Sequence, residues 1–287
     1  SFSFENIPYG TWYVREIEQP AGFVLDDTIY PVTIGADGQV VEIEIVNKYV
    51  RGNIHLTKVD SEYPDNKLTE ATFEVYKDSN ANGKLDNGDE LLGTLTEKEK
   101  GEYSMNDLFY GRYFVKETKA PEGFVLDTGV YEVMIDTNGK TYEVENKAGV
   151  GFINEAMRGN LKIVKTSSDG KVKGFAFRIT GANGYDIILE TNDKGEIFID
   201  GLRIGDYTIS EVSNSASSMY VIPADKKATV KLGSTTIVEM HNVLRDTPKT
   251  GDTTNLPLLY VLAGLSAAGI AVCGVIGFKK KKKEDRN

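Results

Sequence analysis

Up to residue 246 the chain consists of short segments in which apolar and polar residues alternate. The segment Ile54-His-Leu56-Thr-Lys58 is one example. Turn sequences separate such segments at Asp37-Gly38, Asn138-Gly139 and Lys194-Gly195. Alternation with a period of two is typical of half-buried strands, and Asp-Gly and Asn-Gly favour hairpin turns. No segment before residue 256 shows a helical period. The pattern predicts an all-β fold of sandwiches built from hairpins.

Two internal repeats define the domain organisation. A glycine followed by an aromatic, an aliphatic and a glutamate at alternate positions occurs at 10–16, 111–117 and 205–211. A second string, Asn47 to Ile54, is matched by Asn154 to Leu161. A period of about 95 to 100 residues indicates domain-sized units. We predict the end of one β-domain at 1–50, a complete domain at 51–157 and another at 158–246.

Three kinds of polar residue fall on the apolar faces of the predicted strands. Residues i, i+2 and i+4 of a strand share a face, so Lys58 lies on the face of Ile54 and Leu56. The same rule places one lysine, one glutamate and one asparagine inside each complete domain. The set comprises Lys58, Lys165, Glu16, Glu117, Glu211, Asn47, Asn154 and Asn242.

Buried lysine and glutamate side chains suggest a chemical role. Burying either charge without a partner costs several kcal/mol, and burial lowers the pKa of a lysine and raises that of a glutamate. A neutral amine is a nucleophile, and a protonated carboxyl can polarise an amide and transfer protons. The predicted reaction is attack of the lysine amine on the asparagine side-chain carbonyl, with loss of ammonia. The alternative is a buried polar network without a crosslink.

The segment from Tyr113 through Glu117 and Pro121 to Phe124 closely matches the pilin E-box. On this segment and the repeats, the chain resembles the SpaA-type and Cna protein B-type domains of Gram-positive pilins and adhesins. The resemblance implies tandem Ig-like β-sandwiches with self-formed Lys–Asn isopeptide bonds promoted by a glutamate. It assigns Lys58, Glu117 and Asn154 to the middle domain, Lys165, Glu211 and Asn242 to the last, and only Glu16 and Asn47 to the first.

Two departures from this pattern leave alternatives open. Asn146 also lies in an apolar-face register and competes with Asn154 as the partner of Lys58. Asn154 is preferred, because its distance from Lys165 equals the distance from Asn47 to Lys58. In the last domain the continuation after Glu211 lacks the Pro-x-Gly-Phe sequence, so this domain departs from the family's motif next to its glutamate.

The end of the chain combines a pentapeptide, an apolar run and a basic tail. The pentapeptide is Thr247-Pro248-Lys249-Thr250-Gly251, the run is 256–278 and the tail is 279–287. The run is long enough for one transmembrane helix, and the lysines favour a cytoplasmic tail. The order resembles a sortase sorting signal (LPxTG-like), with Thr247 in place of leucine. It implies cleavage between Thr250 and Gly251 by a sortase, and transfer to a peptidoglycan precursor or a neighbouring pilin.

Composition agrees with an extracellular, cell-wall-anchored location. The net charge is −10, which argues against nucleic acid as a partner. The single cysteine, Cys273, lies in the apolar run, so no disulfide is expected before residue 246. Ser1 opens without a signal peptide, and we expect the chain to continue a longer protein. A host or matrix ligand would bind through that missing N-terminal region.

One loop has the residue order of a calcium site. Asp78, Asn80, Asn82, Asp86 and Asp89 occupy the oxygen-ligand positions of an EF-hand loop, with Gly83 at the turn. The flanking segments are predicted strands rather than helices. An ordinary hairpin loop is the alternative, because Asn, Asp and Gly also form turns. Apart from this Ca²⁺ possibility, no cofactor is expected.

The sequence favours a structural surface stalk over an enzyme. His55 and His241 are the only histidines, and no serine or cysteine lies in a nucleophile motif. The predicted function is that of a sortase-anchored pilin subunit or adhesin. The first alternative is the stalk of a surface enzyme whose catalytic domain precedes Ser1. The second is an uncleaved single-pass membrane protein.

Overall fold

The computed structural model describes residues 2–246, and their regular structure is almost entirely β. The prediction of an all-β fold is confirmed. In the first 50 residues two strands, β1 (Gly10–Val14) and β2 (Tyr30–Ile34), pair antiparallel with Trp12 opposite Val32. The predicted transmembrane helix, at 256–278, and the pentapeptide lie outside the described residues. Among residues 2–246 no helix is long and apolar enough to cross a membrane.

The middle unit is a sandwich of two sheets. Its strands are β3 (Arg51–Asp60), β4 (Thr72–Lys77), β5 (Glu90–Thr94), β6 (Thr96–Glu99), β7 (Glu102–Phe109), β8 (Gly111–Lys119), β9 (Val130–Ile135), β10 (Thr141–Glu143) and β11 (Phe152–Asn154). One sheet has the order β10-β3-β7-β6, with β11 also pairing with β3, and the other has the order β5-β4-β8-β9. Ile54 and Leu56 of β3 meet Phe73, Val115 and other buried side chains between the sheets.

The last unit repeats this architecture. Its strands are β12 (Arg158–Ser167), β13 (Ala176–Thr180), β14 (Asp186–Glu190), β15 (Glu196–Arg203), β16 (Gly205–Val212), β17 (Tyr220–Val221), β18 (Lys226–Val230) and β19 (Thr235–Leu244), with a short 3-10 turn at Ala182–Gly184. The sheets have the orders β15-β12-β19-β17 and β14-β13-β16-β18. Leu161 and Ile163 of β12 are fully buried in the core between them.

In both complete units the first strand pairs in parallel with the last one. In the middle unit Phe152 lies opposite Lys58 and Asn154 opposite Asp60. In the last unit Met240 lies opposite Lys165 and Asn242 opposite Ser167. Each asparagine is therefore aligned two residues beyond a lysine on the neighbouring strand, and since residues two apart share a face, both side chains point into the core.

Two of the three predicted hairpin turns connect different sheets instead of closing hairpins, which corrects the expectation from the sequence. The turn at Asn138-Gly139 joins β9 to β10, but β9 pairs with β8 and β10 with β3. The turn at Lys194-Gly195 joins β14 to β15, whose partners are β13 and β12. These turns carry the chain across the edge of each sandwich. Hairpins do occur elsewhere, as between β13 and β14.

The first 50 residues also differ from expectation. The segment containing Ile43 and Asn47 forms no strand, and Ile43 is 40% exposed. Trp12 shares a strand face with Glu16, a register that predicts an inward side chain, but it is 43% exposed. In the complete units the corresponding segments are covered by a first strand like β3. Residues 2–9 include no strand that could serve this purpose, so the apolar face stays open in the described part of the unit.

A buried ion pair joins the middle and last units. Arg203, at the end of β15, donates to both carboxylate oxygens of Asp60 at 2.6 and 2.7 Å. Asp60 is fully buried, and the Arg203 side chain is 16% exposed. The guanidinium also donates to Glu62 and stacks over Tyr63. This contact places the last unit against the end of β3, two residues beyond Lys58.

Replacing this arginine should destabilise the chain strongly. We expect Arg203→Ala to lower the free energy of unfolding by about 3 kcal/mol, because the Asp60 carboxylate would remain buried without its cation. Arg178→Ala is the matched control, since Arg178 makes a similar two-bond contact with Asp186 on the surface and exposed pairs contribute little. Thermal unfolding of both variants measures the difference. Equal losses would contradict the account.

Candidate site: a buried lysine, glutamate and asparagine

Lys58, Glu117 and Asn154 meet inside the middle sandwich. They are 0%, 0% and 3% exposed, and they come from β3, β8 and β11. Lys58 Nζ donates to Asn154 Oδ1 and, at 3.1 Å, to the carbonyl of Phe152. Glu117 Oε1 lies 3.9 Å from Lys58 Nζ. The amine therefore contacts the side-chain amide that it would attack.

The orientation of the Asn154 amide is fixed by its other contacts. Its nitrogen Nδ2 lies 2.8 Å from the carbonyl oxygen of Val125. A carbonyl oxygen only accepts hydrogen bonds, so the group facing it is the NH₂ and not the oxygen. The same Nδ2 lies 3.1 and 2.9 Å from the two carboxylate oxygens of Glu117. The carboxyl group is thus next to the nitrogen that would leave as ammonia.

Burial shifts both ionisable groups toward their neutral forms. Burial lowers the pKa of Lys58 to about 8, against the opposing effect of the Glu117 charge. Burial also raises the pKa of Glu117, although the amide of Asp127 and the side chain of Asn154 donate to it. A neutral amine and a protonated carboxyl are the forms that the reaction needs.

A glycine supports the backbone of each lysine. The Lys58 amide donates to the carbonyl of Gly101 at 2.7 Å, and the Lys165 amide donates to that of Gly195 at 2.8 Å. Both glycines have positive φ, 70° and 75°. A Cβ on Gly195 would lie 2.7 Å from the Lys165 carbonyl, and one on Gly101 would lie 3.0 Å from the Lys58 carbonyl. Glycine is therefore required at both turns for conformation and for space.

In the last unit the glutamate and asparagine meet, but the lysine points elsewhere. Asn242 Nδ2 donates to Glu211 Oε1 at 2.6 Å, and both residues are buried. Lys165 Nζ donates to the carbonyl of Thr166 and lies 4.0 Å from the centre of the Phe175 ring. Glu211 Oε2 and Asn242 Oδ1 have no hydrogen-bond partner among the described residues.

The strand register of the last unit is nevertheless that of the middle unit. Glu211 lies opposite Phe177 as Glu117 lies opposite Phe73, and Asn242 is aligned two residues beyond Lys165. Burial lowers the pKa of Lys165 and raises that of Glu211. The two units therefore have the same strand register, and they differ in the direction of the lysine side chain.

The first unit holds two members of the set. Asn47 Nδ2 donates to Glu16 Oε1 at 2.7 Å, and the amide of Asp26 donates to Glu16 Oε2 at 2.8 Å. The second contact has the same length as that from the Asp127 amide to Glu117 Oε2. The glutamate and the asparagine therefore meet in all three units.

Asn146 occupies a different position. Its Nδ2 donates to Asp127 at 2.6 Å and to the carbonyl of Ile153 at 2.8 Å, and its Oδ1 accepts from the Ile153 amide. Its side chain is thus engaged away from Lys58, and the contacts favour Asn154 as the partner. Sequence reasoning missed Val125 and Asp127 as members of the site. Their signal was the shared Gly-Phe-Val-Leu-Asp string at 22–26 and 123–127.

The predicted calcium loop lies between β4 and β5, and its carboxylates accept hydrogen bonds from the loop itself. Asp78 accepts from the amides of Asn82 and Gly83, each at 3.1 Å. Asp86 accepts from Asn82 Nδ2 at 2.6 Å and donates its own amide to Asp89. Within residues 2–246 no group of three or more His, Cys, Asp or Glu side chains is arranged to hold a metal ion. These contacts agree with the hairpin-loop alternative, and calcium binding stays a prediction.

Comparison with known proteins defines the class of the chain. The family model described as SpaA, prealbumin-like fold domain, matches residues 1–49, 52–148 and 159–243. The chain belongs to this family. No curated protein matches it.

Several solved structures are similar to the chain. The Bacillus anthracis TIE protein is 27% identical with a TM-score of 0.62, covering 83% of this chain and 42% of its own. This chain therefore spans less than half of that protein. The Streptococcal ancillary pilin is 20% identical with a TM-score of 0.30, covering 84% of this chain and 77% of its own. The minor pilin of Streptococcus agalactiae is 18% identical with a TM-score of 0.32, covering 69% and 98%.

Proposed function

We propose that the chain is a structural cell-surface stalk whose β-domains are closed by self-formed Lys–Asn isopeptide bonds. The observation that carries the proposal is the contact of Lys58 Nζ with the Asn154 amide beside the Glu117 carboxyl, all buried. Lys58 Nζ attacks Cγ of Asn154, and Glu117 takes a proton from the amine and gives one to the departing Nδ2. One C–N bond forms, one breaks, and ammonia leaves.

The position of the bond explains its use. It would connect the first strand to the last strand of the sandwich, so tension along the chain passes through covalent bonds. A sheet without it depends on a folding free energy of only about 5 to 15 kcal/mol. Such a bond also limits the unfolded chain in the way a disulfide does. These properties suit an extracellular stalk under mechanical load.

The chain's place in a larger assembly is part of the proposal. We infer that it is anchored to the cell wall by a sortase acting between Thr250 and Gly251, as a pilin subunit or adhesin, with peptidoglycan or a neighbouring pilin as covalent partner. The family membership and the order of pentapeptide, apolar run and basic tail at 247–287 supply the motivation. Mass spectrometry of wall-digested protein tests this inference, since Thr250 should carry a cell-wall peptide or a pilin lysine. An intact C-terminus on the mature protein would contradict it.

The rate of crosslinking should have a flat maximum between two pH limits. The reactive state needs a neutral Lys58 amine and a protonated Glu117 carboxyl, and the pKa of Lys58 is lowered to about 8 while that of Glu117 is raised above 4.5. Below the Glu117 pKa the carboxyl is already protonated, so a further fall in pH only protonates more of the Lys58 amine and lowers the reactive fraction. Above pH 8 the amine is already neutral, so a further rise in pH only deprotonates more of the Glu117 carboxyl. The rate should therefore fall about tenfold per pH unit outside these limits.

Chain recovered unreacted from inclusion bodies in denaturant allows this measurement. It is diluted into buffers from pH 4 to pH 10, and the mass deficit is followed with time. A rate that keeps rising through pH 10 would show that only the amine titrates, and would contradict the role of a protonated carboxyl.

A further inference from the structure

Asp127 lies directly behind the Glu117 carboxyl, in the connection between β8 and β9. Its backbone amide donates to Glu117 Oε2 at 2.8 Å, on the carboxylate that contacts Asn154 Nδ2. A hydrogen bond to one oxygen limits rotation of the carboxyl group. The conformation of residue 127 therefore determines how Glu117 faces the leaving nitrogen.

The side chain of Asp127 holds this conformation through contacts with three segments. Oδ1 accepts from the amide of Gly129 at 2.6 Å. Oδ2 accepts from the Tyr131 hydroxyl at 2.8 Å and from Asn146 Nδ2 at 2.6 Å. The carboxylate thus ties its own loop to β9 and to the segment before β11. No other side chain of the described residues touches both this loop and the Asn146 amide by hydrogen bonds.

The same arrangement occurs in the first unit and is missing from the last. Asp26 donates its amide to Glu16 Oε2 at 2.8 Å and accepts from Tyr30 through Oδ2. In the last unit Glu211 Oε2 has no hydrogen-bond partner among residues 2–246, and the connection after β16 has the different sequence Ser213–Met219. Of the two units that contain the lysine, only this one has its amine turned away from the asparagine. The aspartate amide contact and a glutamate bonded through both carboxylate oxygens therefore occur together in the first and middle units.

We propose that Asp127 is a positioning residue of the crosslinking reaction, which holds the Glu117 carboxyl against Nδ2 of Asn154. This inference rests on the proposed function, because it concerns the same site. Asp127 does not touch the reacting atoms of Lys58 or the Cγ of Asn154. It acts through the Glu117 contact and through its negative charge.

The charge of Asp127 should affect the pH dependence of the crosslinking rate, which a purely structural role would leave unchanged. The titratable groups that face it are Lys58 on β3, Glu117 on β8 and Tyr131 on β9, while Asp60 acts on Lys58 from the same strand. The Asp127 charge raises the pKa of Lys58 and of Glu117. Removing the charge lowers both values. The two limits of the pH–rate profile should then move together toward lower pH.

The test compares Asp127→Asn with a matched control in the whole chain. Asp136→Asn is that control, because Asp136 accepts from the Tyr142 hydroxyl at 2.6 Å in an exposed turn away from the site. Each chain is diluted from denaturant, and the Lys58–Asn154 product is followed by peptide mapping. We expect Asp127→Asn to slow this product at least tenfold and to move both pH limits downward. Asp136→Asn should match the parent.

A second variant separates orientation from charge. Tyr131→Phe removes one tether of the Asp127 carboxylate but keeps its charge, so it should slow the reaction without moving the pH limits. If Asp127→Asn fails to fold, as judged by circular dichroism, Tyr131→Phe alone decides the inference. Parent rates in both variants, with unchanged pH limits, would overturn the role of Asp127. A parent chain that never loses ammonia would instead overturn the proposed function, and the inference with it.

Discussion

Glu117→Gln is expected to abolish the bond between Lys58 and Asn154. The carboxyl lies 2.9 Å from the departing nitrogen, and no other carboxyl among the described residues contacts that atom. Glutamine keeps the shape of the side chain but cannot move a proton between the amine and the leaving group. The deficit between the measured mass and the mass calculated for each sequence should therefore be smaller by one ammonia in the variant than in the parent. Peptide mapping should recover Lys58 and Asn154 in separate peptides.

Two comparisons make this result specific. Glu102→Gln alters a partly buried glutamate of β7, in the sheet that faces the one with Glu117. Glu102 contacts Thr57 and Lys67, and its replacement should leave the mass deficit unchanged. Glu211→Gln should remove only the bond of the last unit. A full mass deficit in Glu117→Gln would show that the carboxyl is dispensable and would remove the basis of the mechanism.

Asn154→Ala should cause the largest loss of stability in the middle unit. Lys58 and Asn154 are 96 positions apart, and closing a loop of roughly 100 residues limits the unfolded chain by about 4 to 5 kcal/mol. For a unit of this size that corresponds to a fall in the unfolding midpoint on the order of 20 °C. Differential scanning calorimetry of the parent and the variant measures it.

Asn146→Ala is the matched control for this experiment. It removes a half-buried asparagine in the same segment, together with its bonds to Asp127 and Ile153, but it leaves the Asn154 amide in place. Because it removes one contact of the Asp127 carboxylate, it should slow crosslinking, but the completed reaction should show the full mass deficit and a midpoint lowered much less. If Asn146→Ala loses the deficit and Asn154→Ala keeps it, the assignment of the partner is reversed.

Strand periodicity was sufficient to place the three polar residues of the middle unit. Lys58 follows Ile54 and Leu56 on a face that the structure buries completely, and the alternation is a local property of β3. The all-β fold follows from the same alternation, while the resemblance to the family rested on the segment 113–124 together with the repeats. The contact among Lys58, Glu117 and Asn154 depends further on parallel pairing of β11 with β3, which the sequence did not indicate, whereas the common spacing of the repeats favoured Asn154 over Asn146.

The sheet connections, the exposure of Trp12 and the direction of Lys165 could not be predicted, because they depend on contacts between distant segments and periodicity describes only single strands. The turn at Asn138-Gly139 has a hairpin sequence, but its flanking strands pair in different sheets. Trp12 has an inward register, but in the described residues nothing covers that face. The direction of Lys165 depends on the packing of Phe175 and Tyr220 around its amine. The role proposed for Asp127 combines its backbone amide with contacts of its carboxylate to Gly129, Tyr131 and Asn146, and strand periodicity reports none of these because residue 127 lies in a loop.

The most direct test of the central claim is the intact mass of residues 1–246, followed by peptide mapping. The account predicts a deficit of two ammonia molecules, with one crosslinked peptide joining Lys58 to Asn154 and another joining Lys165 to Asn242. A mass equal to that calculated from the sequence would contradict it. The buried lysine, glutamate and asparagine would then be polar networks within ordinary β-sandwiches.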